Sequence, residues 1–345
     1  MSGGYVSRVN VGWVGVGLVV LALAILLSPF VPDVPRATLF LFENAVTYLL
    51  FGLLILGLNL HYGWAGLINF GHVVFFAVGS YTAALLTVQD PLTGVGLGLP
   101  WPVGVGGGVL AAVVVGALLG VSTLRLRGDF LAVVTLASAE IFNQVVISLE
   151  GITGGETGLL GVPQPINDLA GGNPSTVLVT TVLLLAGLLA VVYAAITRLT
   201  GSPYGRVLRA IDDDDQVTQA LGKDVFSYKL NTFIYGAAIA GFAGTLHAMY
   251  IGAVSPAFYT VEVTVVLWIG MLLAGAGNNR AVLGGLAVVE LVRIGTRFLN
   301  DTFPGAAYQF ASFRFIVLGV LLVAVIRYKP EGIWGDADRQ GVGTE

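Results

Sequence analysis

Ten apolar stretches of near membrane-spanning length recur along this sequence, and they constrain its fold more than any other feature. They run approximately Val11–Val31, Ala37–Leu60, Ala65–Val88, Trp101–Thr123, Phe130–Leu149, Ser175–Thr197, Leu230–Ile251, Val261–Gly277, Ala281–Gly295 and Gln309–Ile326. A helix needs about 20 mainly apolar residues to cross the ~30 Å hydrocarbon core. The third, eighth and ninth stretches are short or interrupted by Gly, Asn or His. The first is too long for the apolar part of a signal peptide and lacks a small-residue cleavage site, so it reads as a retained span. Only 10% of the 345 residues are charged, against roughly 25% in soluble domains. That excludes an ordinary cytosolic enzyme and a disordered chain. A net charge of −4 with no basic run excludes nucleic acid as a partner. With no cysteine there is no disulfide, thiolate catalysis or Cys-held metal. The expected fold is an all-α integral membrane protein, a polytopic helical bundle of about ten spans in one transmembrane domain, 1–345.

Lys and Arg collect on cytoplasmic loops. With the N-terminus inside and ten crossings, the inside loops hold 12 of the 16 basic residues, among them Arg125, Arg198, Arg206, Arg209, Lys223, Lys229, Arg280 and Lys329. The loop Glu150–Pro174 has none and belongs outside. The expectation is a multi-pass protein of the cell membrane, surrounded by lipid, with both termini cytoplasmic and an acidic tail over 328–345. The loop 198–229 is the longest inside segment. Pro203 suits a first helical turn, Val207, Leu208 and Ile211 form an apolar stripe, and Asp212–Asp215 place negative charge at the start of a second short helix. Gly222 is placed to end that helix in the left-handed conformation. Two readings of this hairpin stay open: a passive element lying on the membrane, or a docking surface for a cytoplasmic partner.

The run Gly205-Arg-Val-Leu-Arg-Ala-Ile-Asp-Asp-Asp-Asp-Gln-Val-Thr-Gln-Ala-Leu-Gly222 resembles the coupling loop of branched-chain amino acid ABC transporter permeases of the LivM type. So do Gly57-Leu-Asn-Leu-His-Tyr-Gly-Trp-Ala-Gly-Leu-Ile-Asn-Phe-Gly-His72 with Gly79-Ser-Tyr81, Leu126-Arg-Gly-Asp-Phe-Leu-Ala132, and Ile152-Thr-Gly-Gly155 through Gly161-Val-Pro163, all in the family's order. Val217 and Thr218 depart from it, standing where the family has two alanines. The resemblance implies a non-catalytic subunit that imports hydrophobic amino acids. Its implied partners are a homologous second permease, two cytoplasmic ATPases that use the ATP, and an extracytoplasmic solute-binding protein. It needs no cofactor or metal of its own. ATPase coupling falls to Arg206, Arg209, Asp215, Gln216, Ala220, Leu221 and Gly222, and outer contact with the binding protein to Thr153, Gly154 and Gly155. Urea or short-amide permeases of the same superfamily, and a self-contained secondary transporter, stand as alternatives. The absence of a G-x-x-x-x-G-K-[ST] cradle means that the chain does not hydrolyse ATP in the P-loop manner.

Polar residues at membrane depth are costly and therefore candidates for function. Gly66–His72 is polar and glycine-rich between two apolar stretches, which is tolerated only inside protein or along a cavity. It is either a broken helix whose exposed amides and Asn69 meet a polar solute beside His72, or a tight turn with His72 satisfied inside the bundle. Glu140, Asn143 and Gln144 share the fifth span, with 140 and 144 one turn apart. Glu140 is a candidate partner for a substrate ammonium, and a buried network holding helices together is the structural alternative. Glu290 and Arg293 are spaced to pair. Gly116 and Gly120, and Ala240 and Gly244, permit close helix contact, internally or as a seam to a partner subunit. Similar turns at Gly66–Phe70 and Gly252–Pro256, expected on opposite faces, suggest an inverted repeat.

Overall fold

In the computed structural model, residues 34–88, 96–126, 129–169, 174–302, 307–329 and 331–334 are described, without the side chains of 34–38, 297–302 and 307–312. The expected first span, Val11–Val31, and the tail beyond 334 lie outside the described residues. Long helices follow the apolar stretches: α1 Val34–Ala65, α2 His72–Thr87, α3 Trp101–Thr123, α4 Asp129–Ser148, α7 Pro174–Gly201, α10 Val225–Ile251, α11 Val261–Ala274, α12 Asn279–Thr302 and α13 Ala307–Tyr328. Short helices α5 Glu150–Thr153 and α6 Pro165–Leu169 lie in one connection, and α8 Pro203–Asp213 and α9 Asp215–Ala220 in another. The all-α reading misses one small element, the two-residue strands β1 Leu159–Leu160 and β2 Ala253–Val254, which pair antiparallel.

Among the described residues, six helices are long and apolar enough to cross a membrane. The third expected stretch is interrupted because the chain breaks over Gly66–Gly71, leaving α2 with 16 residues, about 24 Å of helix. Glycine makes the break possible. Gly66 has φ +63°, and the amides of Gly66 and Leu67 turn back onto the carbonyls of Tyr62 and His61.

α1 is buried on all sides through its middle, with Leu50, Leu53, Leu54, Ile55, Leu56 and Leu58 all at 2% exposure or less, so it is the central helix. α10, α7 and α12 pack against it, and α2, α3 and α10 pack closely on one another. Gly104, Gly108, Ala112, Gly116 and Gly120 of α3 form one buried stripe. A Cβ at Gly116 would meet Ala237 at 2.6 Å, and one at Gly244 would meet the Phe76 carbonyl at 2.0 Å. The small-residue pairs are therefore seams inside this chain, the internal packing expected of them. Without a hydrophobic force between helices in lipid, such backbone approach is what holds them together. α11, α12 and α13 form a second group, in which Glu290 and Arg293 pair at 2.8 Å as expected.

The connections sort into two ends. At one, the α8–α9 hairpin, the Gly66–Gly71 break, the α11–α12 turn and residues 331–334 come together: Arg209 lies over Trp64, Asn59 Oδ1 accepts from the Gly277 amide, and the Trp334 amide donates to the Ala274 carbonyl. At the other, β1 pairs with β2 and Gln164 donates to the Tyr250 carbonyl.

Candidate functional site

The α8–α9 hairpin is built by local chemistry. Ser202 caps α8 by accepting from the Tyr204 amide at 3.1 Å, with Pro203 in the first turn. Gly205, Leu208 and Ile211 form the buried face, and a Cβ at Gly205 would strike the Thr200 carbonyl at 1.9 Å. Asp214 caps α9 by accepting from the amides of Gln216 and Val217 at 2.7 and 3.0 Å. Thr218, one of the departures from the family pattern, is buried and donates to the Ala210 carbonyl, clasping the two helices together. Gly222 then turns the chain at φ +78° with nothing within 4 Å of its missing Cβ. Asp224 caps α10, and the hydroxyl and amide of Ser227 hold its carboxyl below the usual carboxylate range.

Among the expected coupling residues, Arg206, Gln216, Ala220, Leu221 and Gly222 are exposed. Leu221 at 75% and Val217 at 56% exposure present bare apolar knobs beside them. Two differ. Asp215 pairs with Lys229 of α10, and the Arg209 guanidinium sits 4.5 Å from the Trp64 ring centre. These two tie the hairpin to the bundle, Arg209 while remaining exposed and Asp215 half-buried. Asp212 reaches the break itself, its Oδ1 standing 2.4 Å from where a Gly66 Cβ would be.

Above the hairpin, the break is filled by a polar knot. His61 Nε2 faces the Phe233 carbonyl at 2.9 Å and therefore carries the proton, leaving Nδ1 to accept from the Asn69 amide at 3.1 Å. His72 Nε2 donates to the Leu54 carbonyl at 3.0 Å. Asn59 donates to Asn279 and holds Gly277. Asn69 and His72 are buried at 1% and 0% exposure. Of the amides expected to be exposed, those of Gly66 and Leu67 turn back onto α1 and that of Phe70 is spent on the Thr135 hydroxyl at 3.1 Å, while just beyond the stretch the Val73 amide meets the Thr264 hydroxyl at 3.1 Å. His72 sits inside the bundle as the tight-turn alternative has it, but only half satisfied, since its Nδ1 and the Asn69 Oδ1 are buried without a hydrogen bond. His61, Asn59, Trp64 and Thr135 were not singled out by sequence reasoning, although Asn59 and His61 stand out as polar residues within an otherwise apolar span.

α4 attaches to this knot along one thin line. Leu131, Thr135, Ala139 and Val146 are buried, while Phe130, Val133, Ile141 and Val145 are exposed at 47–74%. Glu140 and Gln144 lie on that open side. Asn143 is half-buried and donates to the Pro256 carbonyl at 3.3 Å. The three polar residues do not form the buried network offered as the structural alternative. At the far end, Thr153 is buried, donating its hydroxyl to the Val146 carbonyl and accepting from the Gly155 amide. Gly154 and Gly155 are left-handed at φ +75° and +57°. This corrects the expected free contact surface at Thr153 and Gly155: they shape the turn, and the exposed residues beside it are Glu150, Ile152 and Glu156.

Residues 40–326 match the family described as the branched-chain amino acid transport system permease component. The chain is 32% identical, over 92% of its length and 73% of the relative's, to the high-affinity branched-chain amino acid transport system permease protein LivM of Escherichia coli. It is 26% identical to the permease protein LivH of the same organism, over 83% of this chain and 91% of that one. The same identity and coverage hold for the permease protein BraD of Pseudomonas aeruginosa. No solved structure gives a significant match.

Proposed function

The chain belongs to the branched-chain amino acid transport permease family, and from that premise we propose that it is the membrane-spanning permease subunit of an ATP-driven importer of branched-chain amino acids. The observation that carries this reading is the hairpin. It offers an exposed, preformed surface of Arg206, Gln216, Ala220 and Leu221, and it is anchored by Arg209 and Asp212 to the Gly66–Gly71 break in the spans. A self-contained carrier needs no such handle. Two cytoplasmic ATPases grip it and supply the work, so the chain itself holds no cofactor and catalyses no reaction.

The remaining assignments follow from the same reading. Adding Val11–Val31, α2, α12 and α13 to the six membrane-competent helices gives ten crossings. The end that gathers hairpin, break and α11–α12 turn is then cytoplasmic, and both termini lie there. The left-handed Gly66 and Gly252 end helices at opposite ends of the bundle, each leading into a shorter helix, and this supports an inverted repeat. An ionised carboxylate facing lipid is costly, so the Glu140 and Gln144 face of α4 turns to a second, homologous permease and lines the solute path between them. There Glu140 meets the substrate ammonium. The outer turn around Thr153–Gly155, through exposed Glu150 and Glu156, receives the solute-loaded binding protein.

The test is reconstitution of the assembled transporter in liposomes with its binding protein. ATP supplied on the hairpin side drives leucine, isoleucine or valine across, and urea or acetamide neither competes nor moves. Uphill transport by the chain alone on an ion gradient overturns the reading in favour of a secondary carrier.

A further inference from the structure

α4 carries the polar face assigned to the solute path, whereas the hairpin packs chiefly against α7, α1 and α10. What stands between them is the Gly66–Gly71 break. At its start, the Arg209 guanidinium covers Trp64 and the Asp212 carboxylate fills the space beside Gly66. Midway, Trp268 clamps it, stacking on Phe70 with ring centres 5.1 Å apart and donating from Nε1 to the Asn69 carbonyl at 3.2 Å. At its end, the Phe70 amide donates to Thr135 Oγ1 at 3.1 Å. The backbones touch there as well: a Cβ on Gly71 would lie 2.4 Å from the Thr135 carbonyl oxygen.

We infer that the Phe70–Thr135 joint passes displacement of the hairpin to α4, making Thr135 a positioning residue for the translocation step. This rests on the proposed permease function. The break is irregular in backbone but held at both ends and midway, since the amides of Gly66, Leu67 and Phe70, the Asn69 carbonyl and the Phe70 ring are engaged. Close-packed segments transmit strain instead of absorbing it. α4 is free to respond, because one buried stripe holds it while its other faces are open. Thr135 lies at the inner part of that stripe, five residues before Glu140. Tilting about this joint therefore swings the Glu140 and Gln144 face.

The experiment uses the complete transporter in liposomes and reads solute moved per ATP hydrolysed. Thr135→Val keeps the shape and removes the acceptor. It lowers this ratio about fivefold, the equivalent of one hydrogen bond, while ATP hydrolysis continues. Thr135→Ser keeps the hydroxyl and stays near the parent ratio. Gly71→Ala pushes break and α4 apart and lowers the ratio as Thr135→Val does. A parent that pumps while Thr135→Val and Gly71→Ala both keep its ratio overturns this inference alone. So does a Thr135→Ser loss equal to that of Thr135→Val, which assigns the residue to packing. A parent complex that does not pump on ATP overturns the proposed function and this inference with it.

Discussion

The α2–α10 crossing gives a sharp test of how the bundle is held. Gly79 faces Gly241 so closely that a Cβ on Gly79 would lie 2.2 Å from the Gly241 carbonyl oxygen and 2.7 Å from two more of its backbone atoms. Ordinary contact begins at 3.4 Å, so Gly79→Ala requires a separation of about 1.2 Å between two backbones. Overpacking of this kind costs about 1–3 kcal/mol, and a clash with backbone has no rotamer by which to escape. Against that stands the gain of about 1 kcal/mol for alanine over glycine inside a helix. Taking the upper cost, Gly79→Ala is expected to lose about 2 kcal/mol net. Gly106 of α3 is the internal control, since nothing lies within 4 Å of its missing Cβ. There only the propensity gain remains, about 1 kcal/mol in favour of alanine. Denaturant unfolding of the detergent-solubilised protein, followed by tryptophan fluorescence, measures both. If Gly79→Ala proves as stable as Gly106→Ala, backbone contact is not what joins α2 to α10, and glycine-mediated packing does not hold this bundle together.

Gly222→Val in the hairpin meets no neighbour but forces a β-branched residue to φ +78°, a conformation that costs about 1–2 kcal/mol. It should leave the protein inserted and lower ATP-coupled uptake, and normal uptake with normal ATPase stimulation would remove the hairpin's docking role. Glu140→Gln should raise the solute concentration for half-maximal uptake roughly tenfold, the scale of one charge-assisted hydrogen bond, without altering unfolding, since the side chain is exposed. An unchanged half-maximal concentration would take Glu140 off the solute path. For Asp224, the folded carboxyl titrates below its ordinary 3.8, so its cap on α10 is present above that value and is lost as pH falls through the lower, folded one. Hydrogen-exchange protection of the Ser227 amide should follow that course, and Asp224→Ala should abolish it at neutral pH as well.

Short-range features were legible in the sequence and long-range ones were not. The hairpin could be read because its signals are local: Pro203 in a first turn, aspartates ahead of α9, and Gly222 past its end, each within a few residues of what it caps. The break at Gly66–His72 was equally plain from glycines between apolar runs. What fills the break was not, because Asn59 meets Asn279 across 220 positions and no periodicity records such a pairing. Thr135 gave no signal, being an ordinary threonine whose importance comes from the amide placed against it. Glu140 and Gln144 were correctly put on one side of a helix, but the spacing does not say whether that side looks inward or outward. The turn at Thr153–Gly155 shows the converse, as residues that suggested a contact surface prove to be the scaffold that presents their neighbours.

The open side of α4 bears on how the cell must make this protein. A carboxylate at mid-span facing acyl chains carries a penalty of about 2.5–3.5 kcal/mol on insertion scales, and under the proposed pairing with a second permease an unmated copy bears it in full. Glu140 then serves as a built-in marker of orphanhood. Under that pairing, the need for matched synthesis of the two subunits follows from a single acidic side chain that the isolated chain leaves bare.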